Sequence, residues 1–171
     1  MSSVILLVVG DDRPGLVEAL AEVVAGHGGS WSESRMLRLS GKFAGIVQAE
    51  VPAEQAQAFR SALGQLEASA GVSIVVEDSV TAEARDLRCL RLELVGNDRP
   101  GIIREITSAL AQGGVNLDEL SSECESAPMT GGMLFRATAT LRVPPELDID
   151  ELREHLESLA QDLMVDLSLD G

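Results

Sequence analysis

The sequence predicts an α+β protein made of two copies of one βαββαβ module. The first observation is an internal repeat: the segment VGDDRPGLV at 9–17 returns 86 residues later as VGNDRPGII. The second is that Val51-Pro52 matches Val143-Pro144 at a spacing of 92 residues, so the second copy has gained six residues. We expect these six residues within 122–132, where the first copy has only a short turn at Ser40-Gly41. The third is the periodicity of the apolar residues, which alternates between strand and helix spacing in both copies.

The first half of each module is predicted as a strand followed by an amphipathic helix. Short apolar runs at 3–9 and 87–95 have the composition of strands. Apolar residues then recur three and four positions apart, which is the spacing of one helix face. These residues are Leu16, Leu20, Val23 and Val24 in the first copy and Ile102, Ile106, Ala109 and Leu110 in the second.

The second half of each module is predicted as a hairpin, a helix and a closing strand. In the second copy the residues from Met133 to Val143 alternate between apolar and polar, which indicates a half-buried strand. Pro52 and Pro144 end these strands and open the second helices. The closing strands are predicted at 72–76 and 163–169.

The order βαββαβ is the ferredoxin-like topology, in which two helices cover one face of an antiparallel sheet. The open face and the sheet edges need partners, so we expect the two modules to pack together. The predicted domains are residues 1–79 and 87–171, joined by a polar linker at 80–86.

Charge excludes several classes of function. The net charge is −15 at pH 7, from 28 acidic and 13 basic residues, and such a surface repels phosphate backbones. Direct nucleic-acid binding is therefore not expected.

The opening apolar run is too short for a membrane span or a signal peptide and lacks a preceding basic region, so a cytoplasmic protein without membrane contact is expected. Cys89 and Cys124 lack a motif spacing and are expected to be reduced thiols.

The sequence shows no recognisable catalytic, metal or cofactor motif. A phosphate-binding loop would need a lysine after its second glycine, and both copies lack it. His27 and His155 have no nucleophile in a triad-like setting. The carboxylates at 123–125 and 148–151 match neither an EF-hand nor a zinc spacing. We therefore expect no enzyme, no metal and no cofactor, although a small enzyme using its carboxylates and a purely structural module remain as alternatives.

The repeated Gly-x-Asp-Arg-Pro-Gly motif lies at the turn between first strand and first helix. Asp12 and Asp98 have the residue type of helix N-caps, and the prolines that follow are tolerated in a first helical turn. Gly15 and Gly101 carry no Cβ, which would let backbone or a small ligand approach closely. Free amides and the positive end of the helix dipole then favour a carboxylate ligand.

These residues resemble a known signature. The motif Gly-x-Asp-Arg-Pro-Gly-[Leu/Ile]-[Val/Ile], followed by Gly-Gly-Val-Asn-Leu at 113–117, is similar to that of ACT domains. ACT domains are βαββαβ modules that bind amino acids and control metabolic enzymes or transcription. Two copies filling the chain, with the segment 27–35, resemble the glycine cleavage system transcriptional repressor family.

The resemblance implies a ligand site between ACT modules, formed by the strand-to-helix loop of one module and the second strand of another. Asn116 would bind the amino or carboxylate group of the ligand through its amide, and the first copy has the shorter Ser30 at this position. The implied ligand-binding residues are Asp11, Asp12, Arg13, Pro14, Gly15, Ser30, Asn97, Asp98, Arg99, Pro100, Gly101, Asn116 and Leu117.

The resemblance also implies what the protein does. The expected effector is a small amino acid, with glycine and serine as first candidates, and the expected output is transcriptional repression through a separate regulator protein that binds DNA. The alternative is an allosteric accessory subunit of an enzyme of amino-acid metabolism. A homodimer is a further candidate assembly.

Overall fold

The computed structural model describes residues 1–79, 87–126 and 132–171. The chain divides into two compact units, Met1–Ala82 and Glu83–Gly171. Each unit has its own sheet and its own apolar core. The linker predicted at 80–86 lies outside the described residues, so its boundaries stay a prediction.

The first unit folds as a four-stranded antiparallel sheet in the order β2-β3-β1-β4. Its elements are β1 Ser2–Asp11, α1 Leu16–Gly26, β2 Ser30–Leu39, β3 Lys42–Val51, a 3₁₀ turn Ala53–Gln55, α2 Ala56–Ala70 and β4 Val72–Asp78. The strands β1 and β3 form the centre of the sheet and β2 and β4 its edges.

The second unit repeats this arrangement with the strand order β6-β7-β5-β8. Its elements are β5 Arg88–Asn97, α3 Ile102–Gln112, β6 Asn116–Ser126, β7 Met133–Val143, α4 Ile149–Leu163 and β8 Val165–Asp170. The predicted fold class, two α+β ferredoxin-like modules, is confirmed.

Both cores are formed by the apolar stripe of two helices and one face of the sheet. Alternate residues of β1, Val4, Leu6 and Val8, are buried in the first core, whereas their neighbours face the other side. Phe59 and Leu63 of α2 lie four residues apart on one face of the helix, and each is about 1% exposed. No polar or charged residue of the described part of the chain is fully buried.

Two element boundaries differ from the sequence prediction. Leu163 was assigned to the last strand, but it is the buried last residue of α4. Met164 ends that helix with a left-handed backbone, φ 53°, which residues other than glycine rarely adopt. Ser122–Ser126, placed in a loop by the sequence, continue β6 and pair with β7 as far as Met133. The six additional residues of the second copy therefore fall between Ser126 and Met133, mostly outside the described residues.

Each sheet has one glycine where a neighbouring strand leaves no room for a side chain. Gly10 of β1 lies opposite Val72 of β4, and a Cβ on Gly10 would lie 2.5 Å from the Val72 Cγ1 atom. Gly96 of β5 lies opposite Val165 of β8, and a Cβ there would be 2.9 Å from the Val165 Cβ atom and 3.0 Å from its Cα atom. The first glycine of each repeated motif thus serves packing between strands.

Candidate functional site

The loop between β1 and α1 is tied to the β2–β3 turn. The Asp12 amide donates to the Gly41 carbonyl over 2.9 Å. The Arg38 Nε atom lies 2.7 Å from the Asp12 carboxylate, and Lys42 forms an ion pair with Asp11. Arg13 and Pro14 are exposed between these contacts and the helix. Both acidic side chains of this loop therefore have a cationic partner within the first unit.

The hydrogen bond from Lys42, together with its positive charge, lowers the pKa of Asp11 below its ordinary value. A carboxyl whose pKa is lower in the folded than in the unfolded state stabilises the fold at pH values above the unfolded pKa. This contribution is lost as the pH falls through the lowered pKa of Asp11. The ion pair between Asp11 and Lys42 thus stabilises the first unit at neutral pH.

The loop between β5 and α3 has the same backbone course but different side-chain partners. The Asp98 amide donates to the Met133 carbonyl over 2.9 Å. This hydrogen bond is equivalent to the one between Asp12 and Gly41 in the first unit. The repeat, however, places Leu134 where the first unit has Lys42 and Cys124 where it has Arg38. No salt bridge of the described residues reaches the Asp98 carboxylate. The second loop thus carries an acidic side chain without a cationic partner among the described residues.

The Cys124 thiol takes the place of the missing arginine. Cys124 pairs with Phe135, which pairs with Gly96, so the strand register brings the thiol close to the loop. Desolvation, followed by the negative charge of Asp98 and a hydrogen bond with it, raises the pKa of Cys124. The sequence predicts only a reduced thiol at Cys124, and the alignment of Cys124 with Arg38 in the repeat is the signal that locates it beside this loop.

We expect Asp98→Asn to accelerate alkylation of Cys124 by iodoacetamide severalfold at mildly alkaline pH. Removing the negative charge lowers the pKa of Cys124 and increases the reactive thiolate fraction. The rate would be followed by mass spectrometry in a Cys89→Ser background, with Asp118→Asn as a control acid on the same strand. Equal rates in the Asp98→Asn and parent proteins would show that the thiol and the carboxylate do not interact.

The start of each first helix differs from the prediction. Gly15 and Gly101 are the N-cap residues, with φ 85° and φ 97°, and neither helix has a side-chain capping bond. The predicted capping by Asp12 and Asp98 is wrong, because these residues lie three positions before the N-cap. The glycines are required by the left-handed backbone rather than by a close approach, since a Cβ on Gly15 would meet only a Glu18 oxygen at 4.0 Å.

In the second unit the Arg99 side chain is half-buried behind this turn. One guanidinium nitrogen lies 3.8 Å from the Glu105 carboxylate, and Glu105 donates its amide to the Gly101 carbonyl over 3.0 Å. The Nε atom of Arg99 is buried and has no hydrogen-bond partner within the described residues. The turn at Pro100 and Gly101 thus follows directly on two functional groups, the carboxylate of Asp98 and the guanidinium of Arg99.

The second-strand residues lie at the other end of the sheet. Asn116 is opposite Arg142, whereas Asn97 is opposite Leu134, eight positions away along β7. Eight residues of a strand span about 27 Å. Ser30 is separated from the first loop in the same way, being opposite Glu50 while Asp11 is opposite Lys42. One unit therefore does not bring its loop and its second-strand residue together.

Asn116 is exposed, and its side-chain amide donates to the Asp118 carboxylate over 3.0 Å. Asp118 also forms an ion pair with Arg142. A β-bulge between Leu117 and Glu119 lets Asp118 reach both partners. Leu117 is half-buried and packs against the core of its own unit. Asn116 is thus positioned at the sheet edge by its neighbours.

Other candidate sites are sparse in the described residues. They contain no group of three or more His, Cys, Asp or Glu side chains that could hold a metal ion. A shallow polar cavity of about 150 Å³ lies on the open face of the second sheet, lined by Arg91, Glu119, Ser121, Thr138 and Thr140 around the Ala139 backbone. It includes no residue of the repeated motif. None of the helices in 1–79, 87–126 and 132–171 is long and apolar enough to cross a membrane.

Comparison with known proteins agrees with this architecture. Residues 2–77 match the ACT domain family, and the second unit repeats the fold of the first. Residues 2–77 thus belong to the ACT domain family. No curated protein sequence matches the chain significantly.

Two solved structures match this chain over nearly its whole length. An unknown protein from Galdieria sulphuraria is 30% identical, with a TM-score of 0.88 over 99% of this chain and 97% of that one. A protein assigned as a glycine cleavage system transcriptional repressor is 18% identical, with a TM-score of 0.73 over 99% of this chain and 96% of that one. The fold of this chain is thus similar to that of both solved structures.

Proposed function

We propose that this ACT protein is a non-catalytic sensor of a small amino acid, with glycine and serine as first candidates. Binding of the amino acid changes the contact of this chain with a separate protein, which we infer to be a transcriptional regulator. The similarity in fold to the glycine cleavage repressor structure supports this output. The net charge of −15 supports an intermediary, because the chain itself repels nucleic acid.

The observation that carries the proposal is the Asp98 carboxylate, which precedes α3 and has no cationic partner among the residues that the structure describes. The first amides of a helix lack intrahelical acceptors and attract a carboxylate. Asp98 lies just before these amides and can accept a hydrogen bond from an ammonium group. A small zwitterion that places its carboxylate at α3 and its ammonium at Asp98 satisfies both groups.

The loop of the first unit is less suited to the same ligand. Asp12 is already held by Arg38 over 2.7 Å, and Asp11 by Lys42. An ammonium group would have to displace these cations, which offsets the gain from binding. We therefore assign the principal site to Asn97–Gly101 and expect weaker binding, or none, at Asp11–Gly15.

The second half of the site comes from another ACT module. The distance of about 27 Å between Asn116 and the loop of its own unit exceeds the reach of any single amino acid. We propose that Asn116, or Ser30 in the first copy, contacts the ligand held by the loop of a different module.

Thermal unfolding against each of the twenty amino acids at millimolar concentration tests the proposal. A ligand at 100 times its Kd stabilises a protein by about 2.7 kcal/mol. For a chain of this size the midpoint should rise by about 5–10 °C. We expect the rise to be selective for one or two small amino acids and to be lost in Asp98→Asn and in Asn116→Ala.

The matched control is Asp12→Asn, which alters the equivalent loop of the first unit and should retain the rise. Stabilisation by none of the amino acids would contradict amino-acid sensing at ordinary affinities. A rise that survives Asp98→Asn but disappears in Asp12→Asn would move the site to the first unit. Copurification of a metabolic enzyme in place of a regulator would favour the accessory-subunit interpretation.

A further inference from the structure

The open face of the first sheet, the face turned away from α1 and α2, carries a continuous apolar surface. Leu7 of β1 lies directly opposite both Ile46 of β3 and Val75 of β4. In the next row Val9 lies opposite Ala44, which lies opposite Leu37 of β2. Ile46 is 52% exposed, Val75 48% and Leu37 59%. Contiguous exposed apolar surface of this kind marks an interaction site in soluble proteins.

The second sheet shows that the fold does not need these apolar residues. Its strand register is the same, so each position of the first open face has a counterpart. Leu7, Leu37, Ile46 and Val75 of the first sheet correspond to Glu93, Glu123, Thr138 and Ser168 of the second. One βαββαβ module therefore folds with a polar open face, and the apolar face of the other serves a different purpose.

The charges on this face partly cancel, in contrast to the chain as a whole. Arg35 and Glu33 lie 3.4 Å apart, and Lys42 is paired with Asp11. Glu50 and Glu77 are the additional acids, so these six side chains carry a net charge of −2 against −15 for the chain. Two copies of this face can therefore approach without the repulsion expected from the rest of the surface, whereas a basic partner would find more attraction elsewhere.

We infer that the open face of the first sheet, centred on Leu7, Ile46 and Val75, is the contact between two copies of this chain in a symmetric dimer. Two sheets that pack face to face interdigitate their side chains about 10 Å apart. Four strands of about ten residues cover a flat area of about 600 Å², and protruding side chains add to it. A standard interface buries about 800 Å² per partner, so the face has the size that a stable dimer needs.

The oligomeric state of the full-length chain tests this inference, which does not depend on the amino-acid effector. Sedimentation velocity over a range of micromolar concentrations should show a dimer for the unaltered protein. Ile46→Lys should weaken dimerisation at least about tenfold, because a charge in the centre of the contact would be buried without a partner. Thr138→Lys, at the equivalent position of the second sheet, is the matched control and should remain dimeric.

A second variant protects the test against misfolding. The triple substitution Leu7→Glu, Ile46→Thr and Val75→Ser introduces residues that the second sheet already carries at the same positions. It should keep the circular dichroism spectrum of the parent and lose the dimer. A monomeric parent protein, or a dimer that survives both variants, would overturn the inference. So would a parent that binds a different protein through this face while remaining monomeric.

Discussion

Replacing Phe59 by alanine should destabilise the first unit by about 3–5 kcal/mol, the usual cost of removing a buried aromatic ring. Phe59 is about 1% exposed in the core beneath α2. Its ring also contacts His27 edge-on, with the two ring centroids 5.8 Å apart. A domain of this size has a free energy of unfolding of about 5–15 kcal/mol, so the loss removes a large share of it.

Urea denaturation followed by Trp31 fluorescence would measure this effect. Trp31 is the only tryptophan of the chain and packs against the first core, so its signal reports the first unit. The control is Phe59→Leu, because the second copy carries Leu152 at the equivalent position, and we expect a cost below about 1.5 kcal/mol. Similar midpoints for the alanine and parent proteins would show that the ring contributes little to this core.

Gly96→Ala should destabilise the second unit by about 1–3 kcal/mol, the range for overpacking a tight contact. The added methyl carbon would lie 3.0 Å from the Val165 Cα atom, so relief requires the backbone of β8 to move. Rotation of the Val165 side chain alone would not remove the clash. The same argument applies to Gly10 and Val72 in the first unit.

The matched control for this substitution is Gly64→Ala. Gly64 lies within α2, and no atom lies within 4 Å of a Cβ built there. This variant should gain about 0.5–1 kcal/mol, since alanine favours a helix over glycine. If packing between strands is the reason for glycine at position 96, the unfolding midpoint should fall for Gly96→Ala and rise for Gly64→Ala. A gain or no change in Gly96→Ala would show that β5 and β8 have room to separate.

The order of elements could be predicted from the sequence because both copies alternate the same two periodicities. The boundaries that failed have local reasons. Leu163, Met164 and Val165 are all apolar, so no periodicity separates the end of α4 from β8. Ser122–Ser126 belong to an edge strand exposed on both sides, and its side chains show no apolar alternation.

The candidate site was predictable in its backbone more than in its side chains. The repeated motif located both loops and their glycines, because the strand-to-helix turn demands that residue type. The partners of the loops could not be predicted, since they depend on the register between strands. Arg38 reaches Asp12 from β2, and Cys124 takes the equivalent place beside Asp98. The loops differ in their cationic partners because of this exchange and the replacement of Lys42 by Leu134.

The separation of each loop from the second-strand residue of its own sheet has a thermodynamic consequence. A ligand that touches both groups acts as a cross-link between modules, so its binding and their association are linked equilibria. Linkage is reciprocal. If the amino acid increases the association constant of the modules by some factor, association of the modules increases the affinity for the amino acid by the same factor. A longer linker between modules, or a lower protein concentration, should then shift the midpoint of the ligand titration. This shift requires no change to any residue that touches the ligand.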